Sequence, residues 1–264
     1  MRLGRPKLRR PKIPLLGCVL LWREQIRKKQ KFEESIRCFR ELSANGSGRF
    51  SIRDEDRYPC LNDATENTAF DRHYVYHTAW AARVLAQTRP DLHVDIGSYL
   101  YFATLVSAFV PMRFYDYRPA QVALSGLETG FADLLALPFE DGSVASLSCM
   151  HVVEHVGLGR YGDPLDPDAD LKAMRELARV LAPGGNLLFV VPVGQPRVMF
   201  NAHRIYSYEQ VVDAFPNLVL ERFTLIPELG SDGLVSGASP EQVAMEHYGC
   251  GCFWFRRSQE GLKT

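Results

Sequence analysis

From residue 92 onward, short β-branched and aromatic runs alternate with stretches whose apolar residues recur at helical spacing. That alternation restricts the chain to an α/β sheet covered by helices on both faces. The runs near 92–96, 112–116, 129–132, 144–149 and 186–191 read as parallel strands, and two more near 218–226 and 249–256 bring the sheet to seven. Helices are expected near 70–85, 99–110, 119–126, 152–156 and 169–181, with a short one from 207 to 214. In the helix at 169–181, Leu171, Met174, Leu177, Ala178 and Leu181 form one stripe; Asp168 precedes it as a cap and Pro183-Gly184-Gly185 stops it. Ser207 and Gln210 have the spacing of a capping box.

Residues 1–67 read as a separate basic and apolar segment with a helical extension, and 68–264 as the α/β domain. Arg2, Arg5, Lys7, Arg9, Arg10 and Lys12 precede the first acid, Glu24, and are followed by an apolar run from Ile13 to Trp22. That run is half the ~20 residues a spanning helix needs. It suits either peripheral contact with an anionic membrane surface or a helix that packs on the domain or mediates self-association. A second apolar stripe, Ile26, Phe32, Ile36, Phe39 and Leu42, predicts a helix over 23–42. The balance of 31 basic and 31 acidic side chains gives no basis for nucleic-acid binding. Six dispersed cysteines read as reduced thiols of a cytoplasmic protein, membrane-associated if the amino-terminal segment docks. Cys250-Gly251-Cys252 is their one close pair and, without a second pair, is weak as a zinc motif.

The chemistry begins at His93-Val-Asp-Ile-Gly-Ser98, a strand running into a glycine turn. Gly97 permits close backbone approach to a ligand, and Asp95 at the strand's end can accept hydrogen bonds from ligand ammonium or hydroxyl groups. Asp116 ends the second strand twenty-one residues after Asp95, near the separation at which a carboxylate reaches a ribose in nucleotide-binding α/β units. On the helix at 70–85, Phe70, Tyr74, His77, Ala81 and Val84 share a face. His73 and His77, four apart, can address one ligand, but no third metal ligand is evident in sequence and no metal is assigned.

Three further segments carry a family resemblance: Ala132-Asp-Leu-Leu-Ala-Leu-Pro-Phe-Glu-Asp-Gly-Ser143, Cys149-Met-His-Val-Val-Glu-His-Val156 and Leu181-Ala-Pro-Gly-Gly-Asn-Leu-Leu-Phe189. In this order, over roughly 93–192, they resemble class I S-adenosylmethionine-dependent methyltransferases of the small-molecule type. The resemblance implies a Rossmann-like, doubly wound, mostly parallel seven-stranded sheet and S-adenosyl-L-methionine as cofactor. It places Asp95, Gly97 and Ser98 at the methionine end, Asp116 at the ribose, Asp133 and Leu134 at the adenine, and Cys149 to His151 beside the sulfonium. One departure is that Tyr99, Tyr101 and Phe102 follow Gly97-Ser98 where the family has further glycines, so these side chains are expected to reshape or fill the pocket.

Methyl transfer to a hydroxyl requires alignment and a base. His151, His155 and His203 are the candidate bases, with Asp163 as the carboxylate alternative. The loop 157–170 carries Arg160, Tyr161, Asp163 and Asp166, suited to a hydroxylated acceptor such as a glycan sugar, and Asn201 and Arg204 form a second acceptor-binding group. A calcium loop counted from Asp163 fails because its twelfth position is Met174. The competing reading is a catalytically silent scaffold associated with glycan biosynthesis. A nicotinamide oxidoreductase lacks its glycine fingerprint here.

Overall fold

The structure, a computed structural model, describes residues 15–259, so the basic run at 2–12 lies outside the described residues. The chain divides into two compact units, Met1–Ala69 and Phe70–Thr264. In the first, α1 (Leu15–Ala44) is tied to a short 3₁₀ turn, Asp54–Asp56, by an Arg40–Asp54 ion pair of 2.8 Å. Ile26, Phe32 and Ile36 are half-buried, whereas Phe39 and Leu42 are exposed, so three of the five expected stripe residues pack. Among the described residues no helix is long and apolar enough to cross a membrane.

The second unit opens with α2 (Arg72–Thr88), capped by the Asp71 carboxylate, which accepts from the Tyr74 N–H. Then follow β1 (His93–Ile96), α3 (Leu100–Val106), β2 (Met112–Asp116), β3 (Leu127–Phe131), β4 (Val144–Met150), α4 (Ala169–Val180) and β5 (Leu181–Val193). The remainder is a hairpin of β6 (Arg197–Met199) and β7 (His203–Ile205), then α5 (Tyr208–Asp213), β8 (Leu218–Ile226), β9 (Val235–Ser236), α6 (Pro240–Met245) and β10 (Gly249–Arg257). The main sheet runs β3-β2-β1-β4-β5-β10-β8-β9, parallel from β3 to β5 and antiparallel from there on.

Alternation along each strand divides the core in two. Leu187, Phe189 and Val191 of β5 face the cluster under α4, α5 and α6; Leu188 and Val190 face Trp80, Val84, Phe102 and Val106 of α2 and α3. Of the stripe expected on α4, Met174, Leu177 and Leu181 are buried but Leu171 is exposed, Ala173 and Val180 completing the buried face; Asp168 stands at the N-cap without a side-chain hydrogen bond. The capping box at Ser207 is present, and Ser239 forms another.

Several expectations need correction. The sheet has eight strands, not seven, because the two-residue β9 adds an edge. No helix forms at 119–126: Gly126 (φ +75°) presses against the Ser107 carbonyl and turns the chain directly into β3. The segment 152–156 is a single 3₁₀ turn, Val153–His155. Phe70 precedes α2 and is exposed, and the buried stripe of that helix is His73, His77, Trp80, Ala81, Val84 and Leu85.

At the sheet's centre lies a fully buried polar chain. Ser148 donates to the Asp95 carboxylate, so its oxygen must accept the proton on His93 Nε2 (2.8 Å), and Nδ1 then accepts from Ser146 (2.7 Å). Burial pushes His93 down to about 3 and Asp95 up to about 6, which leaves the imidazole neutral and the carboxylate ionised at neutral pH.

Candidate functional site

Two adjoining cavities open at the carboxyl edge of the parallel strands, where α/β sheets bind ligands. The first is mainly apolar. Ile96 ends β1 and Gly97 follows it, Asp116 ends β2 with Tyr117 and Arg118 after it, Ala132 to Leu135 follow β3, and Val152 follows β4. Gly97 sits at φ +68°, and a Cβ there would come within 3.2 Å of Val152 and 3.6 Å of Asp116 Oδ2. The turn therefore needs glycine for both conformation and space. The Arg118 N–H donates to Asp116 Oδ1 (2.7 Å), fixing the carboxylate at the cavity wall. Asp133 is held likewise by the Leu135 N–H (2.9 Å), with Leu134 beside it. A mainly apolar slot with a fixed carboxylate at each of two strand ends suits a nucleoside: hydroxyls on one, a base amine on the other.

Asp95 and Ser98 do not line this cavity. Asp95 is fully buried, its Oδ1 accepting from the Ser98 N–H (3.1 Å), while Ser98 Oγ accepts from the Met150 N–H (3.0 Å). They brace the glycine turn against β4, because the side chain at this position of β1 projects across the sheet toward Ser148 rather than out of its end. Nor do the bulky residues after Ser98 fill the slot. Tyr99 caps α3 and packs on Tyr74 with ring centroids 5.2 Å apart, Tyr101 is exposed, and Phe102 enters the core.

The second cavity is a chamber rich in imidazole. Its walls are Asp71, His73 and Tyr74 at the start of α2; His151, Glu154 and His155 after β4; Arg160 and Tyr161; Ala202 and His203 from the hairpin; and Glu228 and Tyr248. Gly97, His151, His155 and Tyr161 belong to both cavities. His151 adopts φ +58°, an uncommon conformation for a residue with a Cβ, which turns the chain sharply at the end of β4.

Buried Glu154 organises the imidazoles. Its Oε1 is 2.8 Å from His151 Nδ1 and 3.7 Å from His155 Nε2, and its Oε2 has no partner among the described residues. His155 Nδ1 lies 2.6 Å from the Ala202 carbonyl, which can only accept, and 3.0 Å from Arg160 Nη1, which can only donate; the shorter contact assigns the proton to Nδ1 and leaves Nε2 its lone pair. Burial drives His73 and His151 down to about 4, lowers His155 and His203 as well, and raises Glu154 to about 7. At neutral pH the imidazoles of the chamber are therefore neutral, their affinity for a proton reduced by burial. Tyr74 and Tyr248, each raised to about 12 by burial, stay as phenols.

Of the loop residues, Arg160 and Tyr161 face the chamber. Two guanidiniums hold the Tyr161 ring, Arg118 at 4.4 Å and Arg160 at 5.1 Å from its centroid. Asp163 and Asp166 line the first cavity but are occupied. Burial alone would raise the pKa of Asp163, yet the N–H groups of Tyr161, Gly157 and Gly159 hold it below the ordinary value, so this carboxylate shapes the loop and is a poor base. Asp166 is paired with Lys172 at 2.6 Å. Arg204 is buried, donating to the carbonyls of Val156 (2.6 Å) and Pro167 (3.1 Å), and Asn201 is exposed at the hairpin tip outside both cavities. Neither is placed to hold an acceptor; the hairpin contributes Ala202 and His203 instead. Sequence reasoning missed Glu228 and Tyr248 at the chamber wall and read Tyr74 only as packing. The i, i+4 pair His73 and His77 was the one signal that α2 reached the site.

Residues 141–215, from the approach to β4 through α5, match a family described as a Caenorhabditis protein of unknown function, DUF268. No curated protein matches the chain. Among solved structures, the N-methyltransferase NodS from Bradyrhizobium japonicum, in complex with S-adenosylhomocysteine, superposes with a TM-score of 0.50 at 14% identity, covering 87% of this chain and 98% of that one. A Haloferax volcanii methyltransferase solved with the Trm112 activator gives 0.49 at 19% identity, covering 72% and 92%. The 1,6-didemethyltoxoflavin-N1-methyltransferase of Burkholderia thailandensis gives 0.48 at 11%, covering 69% and 79%. With its strand order and its match to NodS over most of both chains, this protein has the Rossmann-like fold of class I methyltransferases.

Proposed function

We propose that the chain is an S-adenosylmethionine-dependent methyltransferase acting on a hydroxylated small molecule, with a sugar hydroxyl as the acceptor class. One observation carries this reading: an apolar slot with two fixed carboxylates and an imidazole-lined chamber share Gly97, His151, His155 and Tyr161 as a common wall. Bound in the slot, the cofactor supplies a methyl group on a sulfonium. Asp116 receives the ribose hydroxyls, Asp133 and Leu134 take the adenine, and the Gly97 backbone leaves room at the methionine end.

His155 is the base in this proposal. Its Nδ1 proton is committed to the Ala202 carbonyl, so Nε2 accepts the acceptor's proton, and neighbouring Glu154 stabilises the imidazolium that results. Arg160, bonded to the same carbonyl (3.0 Å), fixes the hairpin against the histidine. Tyr161, its ring engaged by the Arg118 and Arg160 guanidiniums, stands at the wall that the two cavities share. Holding donor and acceptor in line is worth ~7–11 kcal/mol, and a positioned base a further ~10²–10⁴-fold.

Calorimetric titration of the full chain with S-adenosylmethionine and S-adenosylhomocysteine, with NADH as control, tests the proposal. Micromolar binding of the first two and none of the third is expected. Absence of heat from all three would overturn it in favour of a silent scaffold.

A further inference from the structure

Behind the imidazole wall, His73 of α2, His151 at the end of β4 and Cys250 of β10 converge from three distant parts of the chain. One ligand atom from each lies within 4.8 Å of the other two, and all three residues are buried. The Cys250 Sγ to His151 Nε2 separation is 3.4 Å. Around a tetrahedral ion with bonds of about 2.3 Å to sulfur and 2.0–2.1 Å to nitrogen, neighbouring ligand atoms stand roughly 3.3–3.8 Å apart.

The surroundings have the makings of a metal centre's outer shell. The Glu154 carboxylate meets His151 Nδ1 at 2.8 Å, which directs Nε2 toward Cys250, the carboxylate–histidine pairing that orients metal-bound imidazoles. Tyr248 and His73 stack at 4.7 Å, His73 and His151 at 5.2 Å, so the two rings are fixed in place. His77, fully buried and 5.0 Å from the His151 ring, has Nε2 without a partner among the described residues, as does Glu154 at Oε2.

We propose that His73, His151 and Cys250 bind a single borderline divalent transition ion of the zinc class. A two-nitrogen, one-sulfur donor set favours such an ion over magnesium or calcium. On binding, the Cys250 S–H bond breaks, its proton passes to solvent, and the sulfur's electron pair forms the bond to the metal. Three protein ligands leave one position free. His73 and His151 also line the chamber, so an ion held there would stand at the wall of the space assigned to the acceptor. The site stands on its own geometry and does not require the methyltransferase reading.

The test is metal loading of the full chain, with no cofactor present. After chelator treatment and re-equilibration with zinc, elemental analysis is expected to find a single ion per chain. Cobalt in its place should give tetrahedral d–d bands and a thiolate-to-cobalt charge-transfer band in the near ultraviolet. Cys250→Ser should abolish that band, and His73→Gln should weaken loading at least about tenfold. His73→Gln serves as the deciding variant should Cys250→Ser fail to fold. Substoichiometric loading of the wild-type chain, a cobalt spectrum without the thiolate band, or a band that survives Cys250→Ser and vanishes in Cys252→Ser would each overturn the assignment.

Discussion

The two cavities are built on opposite principles. The slot beside β1, β2 and β3 is apolar, and its two aspartates are fixed by backbone N–H groups a residue or two away. The chamber beside it is assembled from buried titratable side chains contributed by α2, the turn after β4, the β6–β7 hairpin and the approach to β10. A surface of short local turns suits a ligand whose charges are few and always in the same place. A wall of neutral imidazoles suits a ligand that must give up a proton. Under the proposed function, the first half of the site holds the cofactor and the second half carries the base.

The strongest way to break that division is His155→Asn. Turnover on any hydroxylated acceptor methylated by the wild-type chain should fall ~10²–10⁴-fold, while calorimetric affinity for S-adenosylmethionine changes by no more than a few-fold. A comparable collapse in cofactor affinity would mean that the shared wall cannot be divided into two functions. Asp116→Ala probes the other side. Loss of a charged hydrogen-bond acceptor should weaken cofactor binding at least about tenfold, and unchanged affinity would remove the ribose assignment.

Beneath both cavities, His93 links stability to pH. Its folded value of about 3 lies below the 6.5 of a free imidazole, so on acidification the unfolded chain takes up a proton that the folded chain refuses. Its contribution is intact above pH 6.5 and is lost progressively as pH falls toward 3. In His93→Gln the decline in unfolding free energy on acidification should be shallower by up to roughly 1.4 kcal/mol per pH unit. Parallel pH profiles in denaturant titrations of the two proteins would refute this. The smallest effect is expected at Tyr101→Ala: the ring is exposed and lines neither cavity, so cofactor affinity should shift less than about twofold. A larger loss would return the bulky first loop to the binding site.

The same contrast explains how much could be read from the sequence. Gly97, Asp116 and Asp133 were legible because each follows or ends its own strand, and strand ends can be counted along the chain. The chamber was only half legible. His151, His155 and His203 could be nominated by residue type, but Tyr248 and Cys250 reach them through the antiparallel register of β10 on β5, with Cys250 opposite Pro192, which no local pattern announces. Asp95 and Arg204 show the converse. A carboxylate at a strand end and a guanidinium in a loop signal ligand binding as types, yet both are consumed in bracing buried backbone and hydroxyl groups. The helix expected at 119–126 is replaced by irregular chain that enters β3 through Gly126 at φ +75°.

The Ser146–His93–Ser148–Asp95 chain can be regarded as a wire with a sense of direction. While Asp95 is ionised every donor points toward it, and the imidazole is locked as the Nε2–H tautomer. Below about pH 6 the carboxyl acquires a proton of its own, and all of its links can reverse without moving a heavy atom: Asp95 to Ser148, Ser148 to His93 Nε2, and Nδ1 to Ser146. The glycine turn then rests on a support with two internal states of the same shape. Nitrogen-15 shifts of His93 would exchange between its ring positions across that pH; shifts that stay put would show that the wire runs one way only.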